Sequence, residues 1–464
     1  MLAGINRMAL FSLLTATALQ ALDLTIATIA LPAMTRSLEV DAQSSPWILT
    51  TYIVATALAT PTAGALSAAV GRRSALLMAV GGLTLASLVC AAAPNLPILL
   101  GARLAQGAAA GLIMPLVQAT LLDLVPRSSH GRAMSFFGAA VMVGPILGPS
   151  IGGVLVDAFG WRTIFLINLP FGVLALLGLG AGLDRVSRQE KLGIDATGLV
   201  VFGSGIVALQ LLLERGPILG WLSSAKVWLY ALVMSLGIVG AVLRAARRRD
   251  AFPSLQPFAD RNFSVTTACS FLAGFVVISS IALVPMMLEN AFGYDAASAG
   301  LAMTPRGLGT MAMMLAMNRI VGRVDHRALL WVGVSLSALA LLGLAFAAPA
   351  WGFAAIAGLT LVQGLGVGLI FTPLSTAAFS FLPVAMRTDA TGIFALLRHL
   401  GGGIGVAVVS TFAFGQSMGS GRLLDAYRVD FLLLVMVTAV MAAAVALIKT
   451  DRPTQETELR EAAD

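Results

Sequence analysis

Long apolar segments separated by short polar loops run from residue 8 to residue 449. Each segment approaches or exceeds the roughly 20 residues that a helix needs to cross the hydrocarbon core of a membrane. No segment alternates apolar and polar residues with a period of two, and lipid cannot satisfy free backbone groups, so helices are predicted. The fourteen predicted spans lie at 8–33, 46–70, 75–94, 98–124, 132–156, 163–183, 196–214, 226–243, 263–288, 297–320, 328–348, 352–376, 389–413 and 430–449.

Composition places most of the chain in lipid. Hydrophobic residues make up 58% of the 464 residues and charged residues 11%, whereas soluble domains carry about 25% charged residues. The first segment continues to about Pro32 without a small-residue cleavage site, so a retained span is expected rather than a signal peptide. Cys90 and Cys269 lie inside apolar segments, so neither a disulfide nor a metal site is expected, and no cofactor is predicted.

The basic residues mark one side of the membrane. Of the 29 Lys and Arg residues, 20 fall in loops on one side, six on the other and three within spans. By the positive-inside rule the side with more Lys and Arg is cytoplasmic, and an even number of spans places both termini on that side. The predicted location of the protein is the inner (plasma) membrane. The net charge of +7 is therefore a topology signal and not a nucleic-acid surface. The polar tail at 450–464 is predicted to be a disordered cytoplasmic end.

An internal repeat with an offset of 257 residues indicates duplication. The matched pairs are Gln106 and Gln363, Gly107 and Gly364, Gly111 and Gly368, Leu112 and Leu369, Ile113 and Ile370, Pro126 and Pro383, Gly144 and Gly401, and Gly148 and Gly405. Glycine-rich membrane helices can resemble one another by chance, but the glutamine-to-proline spacing is also preserved. The repeat predicts an all-α membrane protein with six-helix bundles at 1–190 and 251–449, and two inserted helices at 191–250.

Several motifs resemble those of the fourteen-spanner drug/proton antiporters of the major facilitator superfamily, the EmrB-like group. The segments read ALDLTIATIALP at 21–32, RLAQG at 103–107, GPILGPSIGG at 144–153, WRTIFLINLP at 161–170 and PRGLG at 305–309. The resemblance covers almost the whole chain. It implies the major facilitator fold and proton-coupled export of hydrophobic small molecules, with a periplasmic adaptor protein and an outer-membrane channel as candidate partners.

The loop after the second span departs from the family pattern. It carries Gly71, Arg72 and Arg73, which match the family motif, but Ala68 stands where the family usually has an acidic residue. The usual charge latch in this loop is therefore expected to be weakened or replaced.

Asp23 is the candidate proton carrier, because it is the only acidic residue well inside a predicted span. An ionised carboxylate costs several kcal/mol there unless it is hydrated, paired or protonated. Counting about 1.5 Å per residue, Asp23 and Arg103 fall in the outer half of their spans and are expected to share a cavity. The open alternative is a static ion pair that fixes two helices. His399 is a further candidate for proton coupling, although a packing role is the commoner one for a lone histidine.

The other embedded charges are Arg306 and Arg398, which are assigned to a substrate cavity. The cavity also includes the repeated pair Gln106 and Gln363, and Met303, whose flexible thioether adapts to varied ligands. Three arginines against one aspartate favour hydrophobic weak acids or neutral aromatics over permanent cations. Structural clamping of backbone carbonyls by the two arginines stays an open alternative.

Glycine and proline are interleaved in the fifth span. Gly144, Gly148 and Gly152 recur every four residues and permit close helix approach, and Gly153 extends the motif. Pro145 and Pro149 remove backbone donors, so a gating role is predicted beside the alternative of ordinary packing.

Rival functions stay open at this point. The three lysines lack the glycines of a phosphate-binding loop, so direct use of ATP is not expected. A uniporter or proton symporter for a small metabolite would be expected to embed more polar side chains. An intramembrane enzyme would need a catalytic constellation, and none is found, so the chain is predicted not to be an enzyme.

Overall fold

The computed structural model describes residues 6–40, 44–45, 47–126, 129–183, 195–216, 219–248, 252–320, 324–380, 382–414 and 420–449. These residues are almost entirely helical. The helices are α1 (Arg7–Ser37), α2 (Trp47–Ala59), α3 (Ala63–Val70), α4 (Arg72–Ala92), α5 (Leu96–Asp123), α6 (His130–Phe159), α7 (Thr163–Leu166), α8 (Asn168–Gly182), α9 (Ala196–Arg215), α10 (Ala225–Arg247), α11 (Arg261–Asn290), α12 (Ala296–Ile320), α13 (His326–Ala345), α14 (Gly352–Phe379), α15 (Val384–Phe414) and α16 (Ser420–Val445). The predicted tail at 450–464 lies outside the described residues.

Twelve helical stretches in the described part of the chain are long and apolar enough to cross a membrane. The two predicted spans outside this set are nevertheless helical. In α9 the apolar stretch Thr197–Leu213 is shorter than a full span, and α12 carries Pro305 and Arg306 within its length. The all-helical membrane architecture is therefore present, and the count of fourteen spans stays a prediction.

Two predicted spans are divided in the structure. The second runs from α2 through a single 3-10 turn at Thr60–Thr62 into α3, where Pro61 has no backbone N–H to donate. The sixth is broken at Ile167 between α7 and α8.

The predicted start of the last span was wrong, because α16 begins at Ser420 and not at residue 430. The apolar pattern fails over this first part, which includes Asp425 and Arg428. Both side chains are exposed on the helix surface, so they do not prevent helix formation.

Helix packing repeats along the chain. The first set packs α1 on α6 and α8, and α5 on α2 and α4. The second set packs α11 on α15 and α16, and α14 on α12 and α13. Each helix of the first set thus has a counterpart with the same neighbours in the second, as the sequence repeat implies. The exact domain boundaries stay a prediction.

The two sets meet along two seams. One seam joins α6 to α12 and α14, and the other joins α5, α3 and the 3-10 turn at Thr60–Thr62 to α15. The pair α9 and α10 packs mainly on itself, and α9 contacts α2 and α15 beside the second seam. The inserted helices therefore lie against both sets without separating them.

Candidate functional site

A buried hydrogen-bonded cluster surrounds Asp23 on α1. Arg103 Nη1 donates to Asp23 Oδ2 over 3.1 Å. The other carboxylate oxygen accepts from Gln106 Nε2 at 2.7 Å and from Asn168 Nδ2 at 2.5 Å. Ser87 Oγ accepts from the same two amides. Three side chains from α5 and α8 thus hold one carboxylate in place.

The cluster is closed to solvent. Asp23 is 3% exposed and Arg103 is fully buried, so the pair is enclosed in this structure, and the outer-half cavity that both were expected to line stays a prediction. The guanidinium lies 4.2 Å from the ring centroid of Tyr52 and 5.7 Å from that of Phe165, and its Nε donates to Ile48 O at 3.2 Å. Aromatic faces and a carbonyl replace water around the charge.

The net stability of an enclosed ion pair of this kind depends on its further hydrogen bonds. Burying two charges costs several kcal/mol each, and their attraction compensates only when further hydrogen bonds satisfy both groups. Among the described residues, Arg103 Nη2 has no hydrogen-bond partner. Protonation of Asp23 would remove the charge that balances Arg103, so proton binding and the position of α5 against α1 are chemically linked.

The second set of helices repeats this framework with different side chains. Gln363 Nε2 donates to Ser280 Oγ at 3.0 Å, and the two residues are separated by 83 positions, as are Gln106 and Asp23. Ser280 stands at the offset of 257 from Asp23. The glutamine is therefore retained while its acidic partner has become a hydroxyl.

The repeat extends to contacts between neighbouring helices. Thr56 Oγ1 donates to Gly107 O at 3.1 Å in the first set, and Thr310 Oγ1 donates to Gly364 O at 2.9 Å in the second. These threonines are related by an offset of 254 residues. The same offset places Arg306 at the position of Tyr52, so the second set carries a cation where the first has an aromatic ring.

Arg306 is buried, with 5% of its surface exposed. Its Nη2 donates to Val277 O at 3.0 Å, and Nη1 has no hydrogen-bond partner within the described ranges. Arg398 is half-buried, with its guanidinium 5.1 Å from the Phe371 ring centroid. The two arginines therefore differ in burial, since Arg398 is partly exposed and Arg306 is buried.

Met303, predicted for the substrate cavity, and His399, predicted for proton coupling, lie in different surroundings. Met303 is half-buried and packs with an apolar cluster of the second set. His399 is exposed on α15, and no described hydrogen bond joins it to Asp23 or Arg103. The structure therefore does not bring His399 into the cluster with which it was grouped.

The glycines of α6 lie against α1. A Cβ atom at Gly144 would overlap the carbonyl oxygen of Ala21, and one at Gly148 would stand 2.8 Å from Thr25 Cβ. Gly152 contacts α1 as well, whereas a Cβ at Gly153 would meet nothing within 4 Å. The helix runs unbroken from His130 to Phe159, and the side chains of Pro145 and Pro149 lie outside the described residues. The glycine face thus fixes α6 against residues that flank Asp23.

A second charged cluster lies at the Arg72 end of the second seam. Asp123, the last residue of α5, forms an ion pair with Arg72 and accepts from Arg387 Nη1 of α15 at 2.8 Å. Arg73 Nη2 donates to Gly180 O. Gly71 has a φ of +82°, a conformation that glycine adopts without strain. Asp123 is thus an acidic partner of Arg72, and a weakened or replaced charge latch at Ala68 stays a prediction.

Sequence reasoning missed a buried acid on α16. Asp430 is fully buried, and neither of its carboxylate oxygens accepts a hydrogen bond from a described residue. One turn earlier, Tyr427 donates to Met286 O at 3.2 Å. Asp23 is therefore not the only acid well inside a span, and the embedded charge is less one-sided than three arginines against one aspartate.

Asp430 was missed because it stood at the predicted start of the last span and not within it. Asn168 and Ser87 were missed for another reason, since uncharged polar residues in an apolar helix give no periodic signal. Asn168 did lie within the segment 161–170, and its amide within an apolar run was the available clue.

The chain matches the family model described as Major Facilitator Superfamily over residues 13–406 and 266–463. It is 32% identical over 400 residues to the multidrug export protein EmrB of Haemophilus influenzae, covering 85% of this chain and 78% of that protein. It is 30% identical over 400 residues to the fatty acid resistance protein FarB of Neisseria gonorrhoeae, with the same coverage. Its fold is similar to that of the human organic anion transporter MFSD10 (TETRAN), with a TM-score of 0.69, 16% identity and coverage of 93% and 99%.

Proposed function

Since the chain belongs to the major facilitator superfamily of membrane transporters, we propose that it exports hydrophobic small molecules from the cytoplasm in exchange for protons. Drugs, weak acids and neutral aromatics are the substrate classes. The names of relatives that are about a third identical, multidrug export protein and fatty acid resistance protein, support this direction and these substrates.

The proposed topology has fourteen spans with both chain ends in the cytoplasm. It takes α9 and α12 as spans beside the twelve that meet the length and composition criteria. Bundles at 1–190 and 251–449 then move as two bodies around the seams, with the insert at 191–250 beside them. The matching neighbours of the two helix sets support this division. Export through an adaptor and an outer-membrane channel stays a prediction from family resemblance.

The buried cluster around Asp23 is the observation that carries the proposal. Burial favours a neutral carboxyl, and an adjacent guanidinium favours the carboxylate. Movement of Arg103 away from Asp23 would load a proton, and its return would expel that proton. Gln106 and Asn168 donate to the carboxylate and hold it in place during this exchange. The glycine face of α6 presses on the same part of α1, so helix movement and proton binding are coupled there.

The available energy suffices for export. One proton moving down about 180 mV yields roughly 4 kcal/mol. That free energy corresponds to about a thousandfold substrate gradient. A single acid is therefore enough, and no phosphate-binding motif is required.

Alternating access requires the latch at Asp123 to open. Asp123 pairs with Arg72 within the first bundle and with Arg387 of the second, so this carboxylate joins the two bundles at the end that the proposed topology places in the cytoplasm. The structure with these pairs formed is accordingly closed on that side. Substrate entry from the cytoplasm would break them.

The test is substrate-induced proton release from purified protein, compared between the wild type and Asp23→Asn. Loss of release in the variant is expected, because an amide cannot carry the proton. Asp430→Asn is the matched control, since it neutralises another buried acid outside the cluster. Unchanged release from Asp23→Asn would remove Asp23 from the mechanism. Substrate flux that ignores an imposed pH gradient in proteoliposomes would contradict antiport itself.

A further inference from the structure

The second bundle contains a buried cation without a counter-ion among the described residues. In the first bundle, Arg103 is balanced by Asp23 at 3.1 Å. At the corresponding position of the second bundle stands Ser280, while Arg306 contributes a guanidinium one helix away. The second bundle therefore has a positive charge at a different position, where the first has Tyr52, and lacks the built-in carboxylate.

Arg306 and Ser280 converge on one carbonyl. Val277 O accepts from Arg306 Nη2 at 3.0 Å and from Ser280 Oγ at 2.9 Å. Gln363 Nε2 in turn donates to Ser280 Oγ at 3.0 Å. The three side chains thus form one connected group from α12, α11 and α14.

Two atoms of this group are buried and have no partner in the described part of the chain. They are Arg306 Nη1 and Gln363 Oε1. An unsatisfied buried donor is costly, more so when it carries charge. If the Gln363 amide is turned over, the Ser280 hydroxyl turns from Val277 O to donate to the amide oxygen, and the amide nitrogen becomes a second free donor. Two donors, one of them charged, then face a site that lacks an acceptor.

We propose that Arg306, Gln363 and Ser280 bind the carboxylate of an amphipathic organic acid. The ligand carboxylate takes the place that the Asp23 side chain occupies in the first bundle. Met303, one turn before Arg306 on α12, lies in the apolar cluster that would receive the hydrocarbon part. This inference rests on the proposed export function and names one substrate class for it.

The experiment measures binding of cis-parinaric acid and of its uncharged methyl ester to the purified full-length protein. The two probes share one hydrocarbon chain, so the ratio of their affinities isolates the contribution of the carboxylate. We expect the wild type to bind the acid about tenfold more tightly than the ester, and Arg306→Gln to bind both equally, as loss of a charge-assisted hydrogen bond implies. Arg306→Lys is expected to retain part of the preference.

Ser280→Asp provides a test that does not remove the arginine. The new carboxylate is expected to pair with Arg306 and abolish the preference for the acid, while ester binding reports that the fold is intact. The matched variant Ser279→Asp changes the neighbouring residue, whose hydroxyl has no described partner, and is expected to keep the preference. A wild type that does not favour the acid, or an Arg306→Gln variant that still does, would overturn the proposal.

Failure of this site is separable from failure of the export function. Proton-coupled export of a neutral drug by Arg306→Gln, together with an unchanged acid preference, would leave export intact and remove the carboxylate site. Acid-selective binding by a wild type whose substrate flux is not coupled to protons would support the carboxylate site and contradict proton-coupled export.

Discussion

Arg387 of α15 donates a hydrogen bond of 2.8 Å to Asp123 of α5, across 264 residues of sequence. The same carboxylate contacts Arg72, the first residue of α4, so one acid links α4 and α5 of the first helix set to α15 of the second. Ala68, on α3, stands where the family usually has an acidic residue. Asp123 therefore links the two helix sets here, and the proposed closure of this end depends on it.

Asp123→Asn is expected to open the Arg72 end more often. Weakening a partly exposed pair of charges by about 1 kcal/mol changes a two-state population roughly fivefold. A cysteine introduced by Ala68→Cys reports this opening through its rate of reaction with a membrane-impermeant maleimide. Arg428→Gln is the control, because it breaks an exposed pair with Asp425 instead. Equal labelling rates in proteins with Asp123 and with Asp123→Asn would contradict a role of Asp123 in closing this end.

Gly144→Ala is expected to impair transport and stability. Its Cβ would overlap the Ala21 carbonyl oxygen, and overpacking of this kind costs about 1–3 kcal/mol. Gly153→Ala adds the same methyl group where nothing lies within 4 Å, so it is expected to behave as the wild type. Thermal unfolding in detergent and drug flux distinguish the two variants. Normal drug flux by both variants would contradict a gating role that depends on the packing of α6 against α1.

The two buried aspartates are expected to respond oppositely to leucine. Asp23→Leu leaves Arg103 buried and unpaired, which costs about 3–5 kcal/mol. Asp430→Leu removes a carboxylate that accepts no hydrogen bond from the described residues, so stability is expected to be unchanged or higher. Denaturation of both variants in the same detergent measures the difference. Strong destabilisation by Asp430→Leu would mean that this acid has a stabilising partner.

The insert has its own pH-sensitive anchor at Asp195. Arg244 donates two hydrogen bonds of 2.8 Å to this carboxylate, which also caps α9 at Gly198 N. The Arg244 hydrogen bonds hold the pKa of Asp195 well below its usual range. A depressed pKa contributes stability that is present above the unfolded-state pKa, about 3.9, and is lost as pH falls through the folded-state value.

Asp195→Asn is therefore expected to destabilise the α9–α10 pair at pH 7. Asparagine can still cap α9, so the cost is that of the lost ion pair with Arg244, up to about 1 kcal/mol for a partly exposed pair. The difference from the wild type is expected to shrink below about pH 4, where Asp195 of the unfolded chain becomes protonated, and to disappear only as pH falls through the folded-state pKa. Hydrogen exchange in α9, measured at both pH values, checks this. If the destabilisation caused by Asp195→Asn did not change with pH, the ion pair of Asp195 with Arg244 would not be its cause.

The sequence predicted the architecture better than the site. The repeat found at Gln106 and Gln363 extends to the hydrogen bonds of both residues, because the same helix contacts were duplicated. Hydropathy misplaced the start of α16, since charged residues on an exposed helix face interrupt the apolar pattern without ending the helix. Burial of Asp430 depends on which face of α16 packs inward, and no local sequence rule supplies that.

The exchange of an acid for Ser280 makes the two copies unequal. In the proposed mechanism, a duplicated glutamine with an aspartate in one bundle and a serine in the other separates energy coupling from cargo recognition. Mutations around Ser280 can then alter what is carried without altering what drives the transport. Changes in drug profile among natural variants are accordingly expected to accumulate on α11, α12 and α14, while the neighbours of Asp23 stay fixed.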